Sequence, residues 1–239
     1  MTEKVTRPGG EIATRELHFF WIVDCSGSMT VDGKVQSLNN AIREALPHMK
    51  SVADENPHAK MILKAIKFSN GATWHIMDTS LDEFRWVDLV AKDDELTDMG
   101  AALSMVAKHI QIPPMPMRGL PPVLVLVSDG MPSDDFNKGF TELMEQPWAK
   151  KAIKIAIAIG KDAEMSVLQK FIDDTKRKPL AANSPEELAK LIQFVSTVVV
   201  KIASSPPTKT TDEISNGSTP IPEPPKPDND DDVKAEDVW

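Results

Sequence analysis

Residues 19–29, Phe-Phe-Trp-Ile-Val-Asp-Cys-Ser-Gly-Ser-Met, pass from five consecutive apolar side chains directly into a loop of oxygen-bearing ones. The apolar run is typical of a strand buried on both faces of a parallel sheet. The loop then offers one carboxylate and two hydroxyls at alternate positions, Asp24, Ser26 and Ser28. Hard oxygen donors suit a hard cation such as Mg²⁺. Open α/β sheets bind ligands at the carboxyl ends of their strands, so a binding site is expected at this loop.

Strands and helices alternate along the rest of the chain. Apolar runs and alternating patterns predict six strands, with helical periodicity between most of them. The predicted strands are 17–23, 60–68, 72–77, 123–127, 153–159 and 179–181, and the predicted helices are 34–54, 100–110, 134–144, 163–175 and 185–203, with a helical turn or two in 81–90. This order predicts a doubly wound α/β fold, in which a mostly parallel six-stranded sheet has helices on both faces and one antiparallel edge strand.

Composition divides the chain into three parts. Residues 1–16 are polar and contain a Pro-Gly-Gly break, which predicts a flexible lead-in, and residues 17–203 form one predicted domain. Residues 204–239 hold seven of the nineteen prolines, nine acidic and three basic residues, so a disordered tail is predicted. The tail therefore carries −6 of the net charge of −9, which leaves the domain without the basic footprint of a nucleic-acid-binding protein.

The single cysteine, Cys25, excludes an intramolecular disulfide, which is typical of a reducing compartment. The N-terminus lacks the apolar core of a signal peptide. The apolar stretch 191–202 is interrupted by polar residues and is too short to span a bilayer. These features predict a cytoplasmic protein that does not contact a membrane. Cys25 itself is expected to be a small buried residue, with a redox switch as the alternative.

Two further loops carry oxygen-bearing side chains. Leu96-Thr97-Asp98-Met99-Gly100 comes just before a predicted helix, and Ser128-Asp129-Gly130 follows the most strand-like run of the chain, Val-Leu-Val-Leu-Val. In a doubly wound sheet these two loops and the first one meet at the same rim. The alternative is that Ser26, Ser28 and Asp129 only cap the elements that follow them.

The Asp-x-Ser-x-Ser motif, the threonine ahead of Gly-Ala-Ala-Leu and the Val-Ser-Asp-Gly stretch resemble the metal-ion-dependent adhesion site (MIDAS) of von Willebrand factor A domains. The resemblance covers about residues 17–203 and implies the Rossmann-like fold of that family. It implies five metal-site residues, namely Asp24, Ser26, Ser28, Thr97 and Asp129. The three hydroxyls would bind the ion directly, and the two carboxylates directly or through water. An Asp or Glu of a partner protein would complete the coordination.

This mixture of ligands has a physical reason. Two carboxylates leave a divalent ion formally neutral, while hydroxyls add oxygen without adding charge. Mg²⁺ retains water readily, so one position stays open for the carboxylate of a partner. The expected ion is therefore Mg²⁺, with Mn²⁺ or Ca²⁺ as alternatives.

A narrower likeness rests on the Phe-Trp-Ile-Val-Asp-Cys-Ser-Gly-Ser-Met and Val-Ser-Asp-Gly-Met-Pro-Ser-Asp stretches. They resemble bacterial stand-alone A-domain proteins, similar to the TerY group associated with tellurite resistance. Those proteins are often encoded beside a protein kinase and a metal-dependent serine/threonine phosphatase of the PP2C type. The likeness implies a role in signalling or stress response, with such a kinase and phosphatase as expected partners.

Three methionines lie one or two residues beyond a proposed ligand: Met29, Met99 and Met131. Exposed methionines would form a soft apolar rim around the ion, suited to an adaptable protein partner. Packing beneath the loops is the favoured interpretation for Met29 and Met99. Met131, beside Pro132, is the best candidate for the surface.

A metal-dependent protein-interaction module, not an enzyme, is the favoured function. A metallohydrolase or phosphatase built on the same residues would need a general base or nucleophile near the ion. The five histidines fall outside the metal loops, and the sequence has no Walker-type phosphate cradle. A scaffold in which the metal only stabilises the fold is the third hypothesis.

Overall fold

A computed structural model describes residues 14–56, 58–204 and 222–225, and within them it forms a single six-stranded sheet. The strands are β1 (Arg15–Asp24), β2 (Ala59–Ser69), β3 (Gly71–Ser80), β4 (Val123–Ser128), β5 (Ile153–Ile159) and β6 (Leu180–Ala182). Their order across the sheet is β3-β2-β1-β4-β5-β6. All neighbouring pairs are parallel except β2 and β3, which are antiparallel at one edge. The predicted doubly wound sheet with one antiparallel edge strand is confirmed.

Helices connect the strands and cover both faces of the sheet. They are α1 (Lys34–Asp54), α2 (Met99–His109), α3 (Phe136–Met144), α4 (Pro147–Lys151), α5 (Met165–Ile172), α6 (Pro185–Phe194) and α7 (Val200–Ser204). A 3₁₀ segment, Gly27–Gly33, precedes α1, and a π-helical turn, Val195–Val199, joins α6 to α7. The first and last helices pack on one face, and α2, α3 and α5 pack on the other.

Strand β1 supplies side chains to both hydrophobic cores. Phe19, Trp21 and Val23 pack with α1 and α6, whereas Phe20 and Ile22 pack with α2, α3 and α5. Successive side chains of a strand point to opposite faces, so a central strand covered on both faces is apolar at most of its positions. The unbroken apolar run in the sequence is therefore explained by the central position of β1.

The ends of β1 and β4 form the topological switch point of the sheet. From β1 the chain builds β2 and β3 on one side, and later places β4, β5 and β6 on the other. Val23 of β1 pairs with Val127 of β4, so Asp24 and Ser128 end neighbouring strands at the same level. A crevice opens where the strand order reverses, and open α/β sheets bind ligands there.

Helices α2 and α3 approach so closely that backbone touches backbone. A Cβ on Gly139 would lie 2.1 Å from the carbonyl oxygen of Gly100, and a Cβ on Gly100 would lie 2.5 Å from the carbonyl oxygen of Asp135. Glycine is needed at both positions for this close approach. The contact fixes the start of α2 against the segment that follows β4.

A buried ionic cluster connects the antiparallel edge of the sheet to α2. Lys64, on β2, is fully buried. Its Nζ has three polar neighbours: Asp78 Oδ1 at 2.8 Å, His109 Nε2 at 2.9 Å and His18 Nδ1 at 3.0 Å. The ammonium also lies 4.7 Å from the ring centroid of Phe20. The cluster joins β1, β2, β3 and α2.

Three predicted elements differ from the structure. Residues 81–90 form one turn at 81–83 and then continue without helix, because Asn39 of α1 bonds both the amide and the carbonyl of Leu89. The predicted helix 163–175 ends at Ile172, since Asp173 adopts a left-handed conformation with φ of 53°. The predicted helix 185–203 is interrupted by the π-helical turn.

The domain limits are only partly covered by the described residues. β1 begins at Arg15, two residues before the predicted domain, and α7 ends at Ser204. Residues 1–13 of the lead-in and residues 205–221 and 226–239 of the tail lie outside the described residues, so their predicted flexibility and disorder stay predictions. In the ranges that the structure describes, no helix combines the length and the apolar character needed to cross a membrane.

Candidate metal centre

The first loop turns the Asp24 carboxylate inward. The residue is fully buried, and its Oδ1 accepts a hydrogen bond from the Ser26 amide at 2.8 Å. Its Oδ2 accepts from the Ser128 hydroxyl at 2.5 Å, which links the ends of β1 and β4. Burial, the largest effect, and the charge of Asp129 raise the pKa of Asp24 to about 6, against the opposing effect of the hydrogen bonds from Ser128 and Ser26.

A row of oxygens runs from the first loop to the third. Ser26 Oγ lies 3.1 Å from Ser28 Oγ, and Ser28 Oγ donates to Asp129 Oδ1 at 2.6 Å. Ser26 occupies the cap position of the 3₁₀ segment, but its side chain makes no capping hydrogen bond. Capping therefore does not explain why these hydroxyls and this carboxylate face one another.

Thr97 reaches the same place from the second loop. A Cβ added to Gly130 would lie 3.6 Å from both Ser28 Oγ and Thr97 Oγ1, so these two hydroxyls border one small space. The structure thus brings all five predicted residues to one rim: Asp24, Ser26, Ser28, Thr97 and Asp129.

Two residues that sequence reasoning misses hold the second loop against the third. The Thr97 amide donates to Ser133 Oγ, and Ser133 Oγ donates to Asp98 Oδ1, both at 2.8 Å. The Asp134 carboxylate accepts from two backbone amides in the first turn of α2, at 2.8 and 2.7 Å. A negative charge is favourable at this end of a helix. In the sequence, a Ser-Asp pair near a predicted helix start predicts only local capping.

Lys34, the first residue of α1, is a third residue that sequence reasoning misses. Its Nζ donates to Asp129 Oδ2 at 2.8 Å, and the side chains of Lys34 and Asp129 are 9% and 0% exposed. Each oxygen of the Asp129 carboxylate therefore has its own partner, a hydroxyl on one side and an ammonium on the other. A lysine that opens an amphipathic helix gives no sequence signal of burial.

The donor set fits a hard divalent cation. Two carboxylates and three hydroxyls from three loops present only oxygen atoms, and the space beside Gly130 separates two of those hydroxyls. Among the described residues, no group of three or more His, Cys, Asp or Glu side chains could hold a metal ion. An ion at this rim therefore depends on the hydroxyls as much as on the carboxylates, which favours Mg²⁺-like ions over ions that prefer nitrogen or sulfur.

The methionine rim is wrong for Met29 and Met99, and the favoured interpretation, that these two residues pack beneath the loops, is confirmed. Met29 and Met99 are fully buried in the two opposite cores, because their positions face inward at the starts of helical segments. Met131 is 66% exposed, as expected. Two other exposed apolar side chains lie close to ligands in the sequence, Val31, which is 52% exposed in the 3₁₀ segment after the first loop, and Leu96, which is 55% exposed in the second loop. We call Val31, Leu96 and Met131, one from each ligand loop or the segment directly after it, the apolar rim.

Cys25 alternates with the ligands of the first loop but is buried away from them. It is 1% exposed, and burial raises the pKa of its thiol to about 12. A thiol that stays protonated and inaccessible is a poor nucleophile. The prediction of a small buried residue is confirmed.

Comparison with known proteins identifies the fold. No protein-family model matches the chain, and no curated protein matches it in sequence. The von Willebrand factor type A protein from Catenulispora acidiphila is 14% identical, with a TM-score of 0.58 over 79% of this chain and 43% of its own. The ArnB paralog VWA2 from Sulfolobus acidocaldarius is 16% identical, with a TM-score of 0.55 over 76% of this chain and 45% of its own.

A third solved structure contains a metal. Proximal thread matrix protein 1 from the mussel byssus, with a zinc-occupied MIDAS motif, is 17% identical, with a TM-score of 0.59 over 80% of this chain and 48% of its own. This chain spans less than half the length of each of these three proteins. Identities this low establish the fold alone, and that fold is the one of von Willebrand factor A domains.

Proposed function

We propose that this protein is a metal-dependent protein-interaction module, in which Asp24, Ser26, Ser28, Thr97 and Asp129 hold a divalent cation for a partner's Asp or Glu. The observation that carries the proposal is the convergence of these hydroxyls and carboxylates, from three separate loops, at the switch point of the sheet. A bound Mg²⁺ would supply an electrophilic position for a carboxylate oxygen. The surrounding chain contributes the position and orientation of the oxygens.

The apolar rim supports a protein as the ligand. Val31, Leu96 and Met131 each expose more than half of their surface, and each lies within three residues of a proposed metal ligand. Exposed apolar groups beside a polar centre are typical of protein-interaction surfaces. The partner segment is therefore expected to carry an acidic residue with apolar neighbours.

We infer binding and not catalysis from the neighbours of the hydroxyls. Hydrolysis would need a general base within hydrogen-bond reach. In the described part of the chain, the carboxylate in contact with Ser28 is that of Asp129, which is itself a proposed metal ligand and is paired with the Lys34 ammonium. The histidines His18 and His109 contact Lys64 in a separate cluster. A panel of phosphoesters with Mg²⁺ or Mn²⁺ should show no turnover. Metal-dependent turnover that is lost in Thr97→Val would favour the hydrolase or phosphatase alternative.

A purely structural metal is less favoured. The buried carboxylate of Asp129 already has a cation in contact, the ammonium of Lys34. Removing the ion would therefore leave one of the two buried carboxylates, Asp24, without a contacting cation, instead of both. An unpaired buried charge is the usual origin of large destabilisation in buried sites. Thermal melting in Mg²⁺ and in EDTA, beside a binding assay, separates a structural role from a binding role.

The cellular setting is a narrower proposal. The stretches that resemble TerY-like bacterial proteins point to signalling or stress response in the cytoplasm, of the kind linked to tellurite resistance. A protein kinase and a PP2C-type phosphatase are the partners that this likeness suggests. The genes that flank this one are the direct observation for that setting.

Partner capture tests the interaction. The immobilised chain is incubated with an extract of its native cell in Mg²⁺ or in EDTA, and the bound proteins are compared with those bound by Thr97→Val. Valine keeps the shape of threonine and removes one proposed ligand. We expect specific partners in Mg²⁺ that disappear in EDTA and with Thr97→Val, but remain with the exposed control Asp162→Asn. Binding that is indifferent to EDTA contradicts the proposal.

A further inference from the structure

The Asp129 carboxylate faces two different partners at the candidate metal centre. Its Oδ1 accepts from Ser28 Oγ at 2.6 Å, on the side of the other proposed ligands. Its Oδ2 accepts from Lys34 Nζ at 2.8 Å. Both residues of this ion pair are buried, with side chains 9% and 0% exposed for Lys34 and Asp129. The pair is therefore shielded from bulk water and from salt.

The position of Lys34 is unfavourable for a lysine on two counts. Burial removes its ammonium from water. As the first residue of α1, it also lies at the positive end of the helix dipole, where a cation is disfavoured. Asp129 offsets both costs. Functional residues often occupy positions that are locally unfavourable and are stabilised by another residue of the same site.

Resting on the proposed function, we propose that Lys34 is the positioning residue and fixed countercharge of the metal centre. It holds Asp129 Oδ2 and leaves Oδ1 facing Ser28 and the other ligands. The two carboxylates contribute −2 and the ammonium +1, so the charge of the group is −1. A divalent ion then gives a local charge of +1, where the carboxylates alone would give 0.

The charge of Lys34 has opposite effects on the binding of the metal ion and on the binding of the partner's carboxylate. A fixed ammonium near the site lowers the affinity for a cation and raises the affinity for the anion that follows it. Lys34 thus makes the metal-loaded site selective for an acidic group over a neutral oxygen donor. If Lys34 only supported the loop, its substitution would change the metal affinity in the opposite direction. Losing the lysine would then disorder Asp129 and weaken metal binding.

The test is a calorimetric titration of Mn²⁺ into the full chain, for the wild type and four variants. Lys34→Met removes the charge, Lys34→Gln keeps a hydrogen-bond donor, and Lys34→Arg keeps the charge. Lys50→Met is the matched control, because Lys50 is an exposed lysine whose partner, Asp82, is also exposed. Thermal melting in EDTA reports whether each variant is folded.

We expect Lys34→Gln, which can still donate to Asp129 Oδ2, to bind Mn²⁺ about ten-fold more tightly than the wild type. Lys34→Met loses the donor as well as the charge and should gain less Mn²⁺ affinity. Both variants should melt at a lower temperature than the wild type in EDTA. Lys34→Arg and Lys50→Met should bind Mn²⁺ like the wild type. Acetate serves as the carboxylate probe. The Mn²⁺-loaded Lys34→Gln variant should bind acetate more weakly than the Mn²⁺-loaded wild type does. A folded Lys34→Gln with unchanged or weaker Mn²⁺ affinity overturns the role of Lys34. A wild type that binds no Mn²⁺ overturns the proposed function itself.

Discussion

At the scale of single residues, the two carboxylates of the candidate metal centre differ in how their charges are compensated. Asp129 contacts the Lys34 ammonium, whereas the hydrogen bonds that Asp24 accepts from the described residues come from uncharged serine groups, the Ser26 amide and the hydroxyls of Ser128 and Ser26. Burial, the largest effect, raises the pKa of Asp24 from 3.8 to about 6. The negative charge of Asp24 therefore favours metal binding but lowers the stability of the metal-free protein.

The raised pKa of Asp24 determines how this residue changes the stability of the protein with pH. A folded carboxyl with a pKa of about 6 holds its proton more tightly than the unfolded carboxyl with a pKa of 3.8. Asp24 therefore favours folding below about pH 4, and this contribution is lost as the pH rises to 6. Above pH 6 its burial costs about 3 kcal/mol in the absence of metal. We expect Asp24→Asn to stabilise the protein at pH 7 in EDTA by about 1–3 kcal/mol, because asparagine is never charged.

Urea denaturation at pH 7 and pH 4 measures this difference. The gain of Asp24→Asn should shrink at pH 4, where the wild-type carboxyl is largely protonated, and the same variant should lose Mg²⁺ binding. Asp162→Asn, at an exposed position, should show neither effect. An Asp24→Asn variant less stable than the wild type at pH 7 would show that hydrogen bonds, and not burial of charge, dominate at this residue.

At the scale of elements, the Lys64 cluster connects the edge strand β3 to the rest of the sheet. Burial acts to raise the pKa of Asp78, but hydrogen bonds and charges from His109 and Lys64 outweigh it and hold that pKa below its ordinary range. A lowered carboxyl pKa contributes stability above the unfolded value, and the contribution is lost as the pH falls below it. The Asp78 side chain is 43% exposed, so water weakens the interaction.

We expect Asp78→Asn to lower the free energy of unfolding by about 1–2 kcal/mol at pH 7, because Lys64 stays buried without the carboxylate that contacts it. Lys64→Met should cost less than Asp78→Asn, since it removes the buried charge itself. Urea denaturation of both variants provides the comparison. If Lys64→Met is the more damaging change, packing and hydrogen bonding of the lysine matter more than its charge.

The contact between α2 and α3 controls the second metal loop. A Cβ at Gly139 meets the backbone of Gly100 at 2.1 Å, so the two helices must separate to accept it. We expect Gly139→Ala to destabilise the protein by at least about 2 kcal/mol and to weaken Mg²⁺ binding by displacing the Thr97 loop. Thermal melting and Mg²⁺ titration measure both effects. Gly119→Ala, where the added atom makes near-ordinary contacts of 3.4 Å or more, is the control. Unchanged Mg²⁺ affinity in Gly139→Ala would show that the contact between α2 and α3 does not affect metal binding.

At the scale of the whole molecule, the sequence predicts the sheet because its central strands are covered on both faces. The runs that became β1, β4 and β5 contain few polar residues, and a strand with two buried faces tolerates few. The convergence of the three loops is predictable for the same reason, since the carboxyl ends of neighbouring parallel strands lie at one rim. The positions of the five proposed ligands relative to the fold therefore follow from local patterns.

Features that depend on contacts between distant segments are not predictable in this way. Lys34 and Lys64 look like solvated lysines in the sequence, and only their partners, Asp129 and Asp78, explain their burial. The methionine rim is wrong for Met29 because exposure depends on which side of a helical turn a residue faces. The coarse site is thus visible in the sequence, while the charges and surfaces that tune it are visible only in three dimensions.

The central claim is that three loops form one site for a divalent cation. Calorimetric titration of Mg²⁺ into the purified chain tests it most directly, with Ser28→Ala for the first loop, Thr97→Val for the second and Asp162→Asn as the control. We predict one ion bound per chain by the wild type and by Asp162→Asn, with at least about ten-fold weaker binding by each of the other two variants. Equal Mg²⁺ binding by all four proteins, or none by the wild type, would contradict the claim.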